Sequence, residues 1–171
     1  YVKIYNIKLD TSLDIHNINL AIGNFDGIHL GHQKIIKELI NNSRENQTQP
    51  AILSFKPHPR QFFSGNYENF TIISENSKFS FLEKLGIEYY FSLEFDHLIA
   101  SLTAEKFIKQ ILINQLKIKT LVVGFNFKFG KDRLGDVNLL QDQSTNHNFS
   151  IKVIHPIRSN ATSEIQTSSD F

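Results

Sequence analysis

A short stretch near the amino terminus combines two histidines with three glycines, and this combination suits phosphate binding. It reads Gly-Asn-Phe-Asp-Gly-Ile-His-Leu-Gly-His and spans residues 23–32. At the start of a helix, His29 and His32 would share one face and could both donate to one phosphate group. Gly23 and Gly27 allow a close backbone approach, and Gly31 leaves room for a nucleotide. The pattern predicts a phosphate site where free amides and the helix dipole favour anions.

Two other interpretations of the histidine pair are weaker. A single histidine usually caps a helix or packs against its neighbours, but a pair beside several glycines after an apolar run is less easily explained in that way. Zinc is also a common partner of paired histidines. The chain has no cysteine and the sequence offers no obvious third ligand, so zinc binding is disfavoured.

A second stretch reads Ser-Phe-Lys-Pro-His-Pro-Arg and spans residues 54–60. Pro57 and Pro59 restrict the backbone on both sides of His58, which would hold its imidazole in one direction. Taken alone, these residues fit a stiff loop with a solvent-facing histidine better than a binding site.

A third stretch reads Val-Gly-Phe-Asn-Phe-Lys-Phe-Gly-Lys-Asp-Arg-Leu-Gly-Asp and spans residues 123–136. Its three phenylalanines alternate, so they would share one face of an extended strand. That face is either simply buried or, with the neighbouring amide and cations, suited to a planar ligand that carries phosphate. The residues concerned are Phe125, Asn126, Phe127, Phe129, Lys131 and Arg133.

Alternating strands and helices are predicted to position these stretches. Strands are predicted at 18–25, 51–55, 87–93, 120–125 and 150–154, and helices at 31–46, 79–85 and 103–116, with an irregular segment at 61–77. Such alternation indicates a parallel sheet covered on both faces, with ligands beyond the carboxyl ends of the strands. Each of the three stretches follows a predicted strand, so all three are expected along one edge of the sheet.

Length and amino-acid composition limit the classes of protein to which this chain can belong. The 171 residues correspond to about one domain. A net charge of +1 gives no overall reason to bind nucleic acid or an anionic membrane, and no apolar run approaches the roughly 20 residues that span a bilayer. The lack of cysteine favours the cytoplasm. The chain has no methionine, so we expect it to be part of a longer protein.

In this order, the three stretches resemble the FMN adenylyltransferase module of prokaryotic FAD synthetases, from about Ile18 to the last residue. The resemblance implies a Rossmann-like nucleotidyltransferase fold over residues 1–171, a parallel sheet with helices on both faces. It also implies transfer of AMP from ATP to FMN, which gives FAD and pyrophosphate with Mg²⁺. Family members commonly carry a C-terminal riboflavin kinase domain, which this sequence does not contain.

The resemblance also implies roles for particular residues. It assigns catalysis to His29, His32 and Asn126. It places ATP beside Gly23, Asn24, Phe25, Gly27, His29, Gly31, His32, Ser168 and Ser169. It places the flavin beside Phe55, His58, Pro59, Asn126, Phe127, Phe129, Arg133 and Asp136. The metal has no assigned protein ligand, with Asp26, Asp132 and Asp136 as candidates.

The sequence departs from the family pattern at its end. Ser168-Ser-Asp-Phe171 begins a further family motif, but Asp170 stands where threonine is usual, and the apolar residue and arginine that follow are absent. Two alternatives therefore stay open: a nucleotidyltransferase for another phosphorylated substrate, and a flavin- or nucleotide-binding module without turnover. Nucleic-acid binding is disfavoured because the charge is balanced.

Overall fold

A computed structural model describes residues 1–23, Phe25, 30–57, 59–65 and 75–155. The strands are β1 Lys3–Ile7, β2 Ile18–Ile22, β3 Gln49–Lys56, β4 Tyr89–Glu94, β5 Ile118–Gly124 and β6 Ser150–Ile154. The helices are α1 Leu30–Asn46, α2 Pro59–Ser64, α3 Glu75–Leu85, α4 His97–Ser101, α5 Ala104–Lys106 and α6 Val137–His147, with a π-helix at Phe107–Gln115 and a 3₁₀ turn at Lys131–Arg133.

All six strands form one parallel sheet in the order β1-β4-β3-β2-β5-β6. Successive side chains of a strand point to opposite faces, so strands buried on both faces are apolar throughout. In β5, Leu121 and Val123 join the larger core on one face, whereas Val122 joins the smaller core on the other. The predicted parallel sheet covered on both faces is therefore confirmed.

Helices on the two faces pack through the stripes predicted from the sequence. In α1, Ile35, Ile36, Leu39 and Ile40 are buried and contribute to the smaller core, together with Leu82 of α3. The π-helix and α6 cover the larger core. Because α1 follows β2 and α6 follows β5 on opposite faces, the carboxyl ends of these two strands form the position at which parallel sheets of this kind bind ligands.

Several boundaries and elements differ from the predictions. The first predicted strand ends at Ile22 rather than Phe25. The helix predicted at 79–85 is confirmed within α3, but residues 61–64 and 75–77, which belong to the segment predicted to be irregular, are helical as well. The sequence reasoning also missed β1, α4 and α6. Strand β1 depends on its pairing with β4, far away in the sequence. Helices α4 and α6 begin at the N-caps Asp96 and Asp136, a local signal that the sequence reasoning did not use.

The helix predicted from Thr103 forms, but most of it has π geometry. The hydroxyl of Thr103 accepts a hydrogen bond from the Lys106 amide, and the Leu116 amide donates to the Ile111 carbonyl, five residues back. The π-helix side chains Phe107, Ile108, Ile111 and Leu112 are fully buried. Helical periodicity alone does not distinguish π from α geometry, and π segments are frequent near functional sites.

No helix in the described part of the chain is both long enough and apolar enough to cross a membrane.

Candidate active site

The carboxyl ends of β3, β2, β5 and β6 lie side by side along one edge of the sheet. Adjacent strands are about 4.8 Å apart, so the ends of β3 and β5, which flank β2, are about 10 Å apart. Each predicted stretch follows one of these ends, as the sequence led us to expect. We call this edge, with the residues that follow the strands, the carboxyl edge.

Strand β2 ends at Ile22, and helix α1 begins at Leu30. The Gly23 amide donates to the Leu53 carbonyl of β3, with a donor–acceptor distance of 2.9 Å. Helix α1 begins at Leu30, so Gly31 and His32 lie in its first turn, where amides lack helical partners. The predicted helix start after the glycine and histidine pattern is confirmed. Asn24, Gly27 and His29 lie outside the described residues.

Phe25 is predicted to lie beside the nucleotide, but its side chain packs into the smaller core. It is buried, and its backbone adopts a left-handed φ of 53°. A non-glycine residue rarely takes this conformation, so the chain turns sharply at this point. The buried ring gives the turn a fixed position, and its predicted contact with ATP stays a prediction.

At the end of β3, Pro57 interrupts the strand and Pro59 begins a helix. Proline is favoured at the first position of a helix because its missing amide hydrogen would have no partner there. The predicted strand stop is confirmed, while α2 is an addition that the sequence reasoning missed. Pro59 and Phe55 are buried, and His58 lies outside the described residues.

An aromatic cluster beside this loop was missed at the sequence level. The ring of Phe62 lies 5.2 Å from that of Phe95 and 4.9 Å from that of His97, between centroids. Phe63 contacts the same cluster with two thirds of its surface exposed. An exposed aromatic ring at the carboxyl edge can stack on a planar ligand. In the sequence, the two consecutive phenylalanines that follow Pro59-Arg-Gln are the pattern that could have indicated this cluster.

At the end of β5, Phe125 and Asn126 form a turn. The Phe127 amide donates to the Gly124 carbonyl over 3.2 Å, so the chain is not extended here. As a result, the three alternating phenylalanines do not share one face: Phe125 is half exposed, whereas Phe127 and Phe129 are buried. The rings of Phe127 and Phe129 stack with centroids 5.3 Å apart.

The buried rings of this region join the loops to each other. Phe107 of the π-helix lies between Phe55 at the end of β3 and Phe129, with ring centroids 6.3 and 5.7 Å away. Phe55, Phe127 and Phe129 are all predicted flavin contacts. Their burial in the larger core holds the loops in place, and their direct contact with a flavin stays a prediction.

Polar residues of the same loop remain at the surface. Asn126 and Arg133 are exposed. A carboxylate oxygen of Asp136 accepts from the Leu139 amide over 3.0 Å and so caps α6, while its other oxygen lies 3.9 Å from Lys128 Nζ. Asp136 therefore has a structural role besides its predicted contact with the flavin.

Two residues near this edge have no role in the sequence reasoning: His155, directly after β6, and Lys34 of α1. The ring of His155 stacks on Phe125 with centroids 6.2 Å apart. Its carbonyl accepts a hydrogen bond from Lys34 Nζ over 2.9 Å, which links the first turns of α1 to β6. Ser168 and Ser169 lie outside the described residues.

No group of three histidine, aspartate or glutamate side chains that could hold a metal occurs among the described residues. Magnesium does not need such a group, because it commonly binds one or two carboxylates together with substrate phosphates and water. Of the candidates, Asp136 is engaged in capping and Asp132 is exposed on the loop, while Asp26 lies outside the described residues. This donor set fits an ion carried mainly by phosphates.

A parallel sheet in which neighbouring strands are followed by helices on opposite faces belongs to the class of α/β proteins that bind ligands beyond the carboxyl ends of the strands. The family model for FAD synthetase matches residues 12–169. The chain therefore belongs to the FAD synthetase family.

Curated relatives carry a consistent name. The chain is 34% identical over 148 residues to a bifunctional riboflavin kinase/FMN adenylyltransferase of Buchnera aphidicola subsp. Schizaphis graminum, covering 86% of this chain and 46% of that protein. It is 33% identical over 145 residues to the protein of the same name in Escherichia coli K12, covering 80% and 46%. The chain thus spans about half the length of these relatives.

Solved structures support the fold. A Streptococcus pneumoniae structure titled as a macrolide-efflux protein matches with a TM-score of 0.80 and 22% identity, over 94% of this chain and 53% of that chain. The pantothenate synthetase of Thermus thermophilus matches with a TM-score of 0.50 and 12% identity, over 91% and 63%. The predicted Rossmann-like nucleotidyltransferase fold is confirmed.

Proposed function

We propose that this chain is an FMN adenylyltransferase, which transfers AMP from ATP to FMN and releases FAD and pyrophosphate. The observation that carries the proposal is membership of the FAD synthetase family, joined to a carboxyl edge on which all three predicted stretches meet. The names of the curated relatives agree with it.

The transfer we propose is a direct in-line displacement. A phosphate oxygen of FMN forms a bond to the α-phosphorus of ATP, while the bond from that phosphorus to the oxygen bridging to the β-phosphate breaks. Pyrophosphate leaves with the electron pair of the broken bond. Since no protein nucleophile is needed, catalysis depends on positioning and on charge stabilisation.

In this proposal, the ATP phosphates bind at the start of α1. The amides of its first turn and the dipole of a 17-residue helix favour negative charge there. His29 and His32 would donate to the departing pyrophosphate, because donors aimed at developing charge accelerate such reactions most. Mg²⁺ would neutralise charge on the phosphates.

The flavin would lie on the side of α2 and of the loop that follows β5. Asn126 and Arg133 are exposed there, next to the edge that Phe63 also borders. The amide and guanidinium groups suit the FMN phosphate, and an exposed ring suits the isoalloxazine. The two substrates would then meet above β2.

The test is to incubate the 171-residue chain with FMN, ATP and Mg²⁺ and to separate the flavins by chromatography. A parallel incubation contains riboflavin in place of FMN. The proposal predicts FAD in the first incubation and unchanged riboflavin in the second. Omission of Mg²⁺ should abolish FAD formation, because the ion neutralises charge on the transferred group.

Other outcomes would favour the alternatives. If FMN and ATP bind in fluorescence and calorimetric titrations but no FAD forms, the chain is a binding module without turnover. If pyrophosphate is released only with another phosphorylated acceptor, such as a pantetheine phosphate or a nicotinate nucleotide, the transfer class stands and the acceptor is wrong.

A further inference from the structure

The loop between β5 and α6, residues 124–136, contains a small hairpin that packs on the junction between α4 and α5. We call residues 124–136 the β5 loop. Phe129 and Gly135 pair through two backbone hydrogen bonds of 3.1 and 2.9 Å. Between them, the Lys131 amide donates to the Leu102 carbonyl over 2.8 Å. The hairpin is thus fastened to a segment that lies in none of the three predicted stretches.

Two glycines of the hairpin fit closely against Ala104, the first residue of α5. A β-carbon at Gly130 would lie 2.7 Å from the Ala104 Cα and 2.8 Å from its backbone nitrogen. At Gly135, it would lie 2.7 Å from the Ala104 Cβ and 2.8 Å from two ring atoms of Phe129. Real Cβ atoms essentially never come closer than 3.0 Å to such atoms, so a side chain at either glycine would force the hairpin or Ala104 to shift. Ala104 itself is buried.

The hairpin also stores backbone strain at its tip. Asp132 and Arg133 have φ values of 58° and 55°, a conformation that non-glycine residues avoid, and Gly130 has a φ of 79°. Two consecutive residues of this kind persist only where the surroundings enforce them. The contacts with Leu102 and Ala104 supply that enforcement.

We propose that Ala104 is a positioning residue. Its small side chain allows the hairpin to pack closely against α5, and this packing places the β5 loop for binding of the flavin substrate. This inference rests on the proposed function for its substrate, because the loop carries Asn126, Arg133 and Asp136. A larger side chain at position 104 displaces the hairpin from its packed position against α5. It then weakens the use of FMN more than the use of ATP, since the ATP phosphates are assigned to the start of α1.

The first test uses trypsin, which needs no activity. The β5 loop contains three cleavage sites, after Lys128, Lys131 and Arg133. We expect Ala104→Val to accelerate cleavage at these sites about tenfold, because loss of this packing raises the population of the open loop. The matched control is Ala100→Val, the same change in α4, on a residue that packs against the same larger core. Mass spectrometry identifies the cut sites.

The second test compares the Michaelis constants of the two substrates. Ala104→Val should raise the KM for FMN about fivefold or more and change the KM for ATP less than about twofold. A variant that is merely less stable has a smaller folded fraction, which lowers its apparent kcat but leaves both KM values unchanged, and Ala100→Val controls for this. Unchanged cleavage and an unchanged KM for FMN in folded Ala104→Val overturn the proposal.

A rescue experiment remains available if Ala104→Val does not fold. Gly135→Ala should open the loop to trypsin. Ala104→Gly should restore part of the protection in the double variant, because it removes the clash with the Ala104 Cβ while the clash with the Phe129 ring remains. Gly130→Ala should not be rescued, since its clash is with backbone atoms. If Ala104→Gly changes the rate of trypsin cleavage equally in the Gly135→Ala and Gly130→Ala backgrounds, the proposed close fit of the hairpin against Ala104 is contradicted.

These tests separate the two proposals. If the wild-type chain forms no FAD while the trypsin results are as expected, the proposed function fails. Ala104 then still positions the hairpin, but the assignment of FMN as the substrate of the loop is wrong. If the wild type forms FAD and Ala104→Val has normal protection and a normal KM for FMN, only the role of Ala104 fails.

Discussion

The two ends of β2 are held in different ways. At its amino end, Asn19 is fully buried, and its Nδ2 donates to Asn42 Oδ1 and Ser43 Oγ of α1 over 2.9 and 3.0 Å. At the carboxyl edge, the link between α1 and the sheet is an exposed one, from Lys34 Nζ to the His155 carbonyl. The amino end is thus joined through hydrogen bonds of a buried asparagine, whereas the link described at the carboxyl edge is exposed to water.

This difference separates stability from function. A buried hydrogen bond that loses one partner leaves the other without water, so its loss destabilises the fold. An exposed group can exchange its partner for water or a substrate at little cost. Changes at the amino end should therefore lower the free energy of unfolding, and changes at the carboxyl edge should mainly lower activity.

The largest effect is expected for His29→Ala at the carboxyl edge. If His29 donates to the departing pyrophosphate, its loss should lower kcat about a hundredfold or more, which corresponds to about 2.7 kcal/mol in the barrier. The measurement is the rate of FAD formation with both substrates saturating. His16→Ala, an exposed histidine before β2, is the control and should leave the rate unchanged. Full turnover by His29→Ala would remove this residue from the mechanism.

The next effect is expected at the amino end. Asn19→Leu removes the donor to Asn42 and Ser43 and should lower the free energy of unfolding by about 2 kcal/mol. Urea titration measures it, and the folded fraction should keep its KM values. In the control Asn41→Ala, an exposed position of the same helix, stability should change by less than about 0.5 kcal/mol. If Asn19→Leu kept its stability but lost activity, the amino end of β2 would serve function rather than stability, contrary to the difference described above.

A smaller effect should distinguish two roles of Asp136. Asp136→Ala removes the cap of α6 and should cost about 1 kcal/mol, whereas Asp136→Asn retains a capping oxygen and the stability. If Asp136 also contacts the flavin, Asp136→Asn should raise the KM for FMN. Asp96→Ala, which removes the equivalent cap of α4, should cost a similar amount of stability with no change in that KM. An unchanged KM in Asp136→Asn would leave this residue with the capping role alone.

The smallest effect is expected for the link from α1 to β6. Lys34→Met removes an exposed hydrogen bond, so the free energy of unfolding should fall by only about 0.5 kcal/mol. For a chain of this size, that corresponds to a decrease in Tm of about 1–2 °C in calorimetry. Lys37→Met, an exposed position on the same helix, should have no effect. A decrease in Tm of about 8 °C or more would show that the carboxyl edge is held as firmly as the amino end.

Local patterns in the sequence were sufficient to predict the parallel sheet, the start of α1 after the glycine and histidine pattern, and the strand stop at Pro57. These features depend on local rules: apolar runs bury strands on both faces, glycines and free amides accompany a helix start, and proline cannot pair in a strand. The family resemblance rests on the same local patterns, and the family model confirms it.

Which side chains at the carboxyl edge are covered depends on the tertiary structure. The alternation of Phe125, Phe127 and Phe129 suggested one shared face, but a turn at Phe125 and Asn126 and contact with the π-helix buried two of the rings. Likewise, β1 depends on pairing with β4, a strand more than 80 residues away, and the β5 loop depends on the close fit between its glycines and Ala104. Such contacts join residues distant in the chain, so no local pattern contains them.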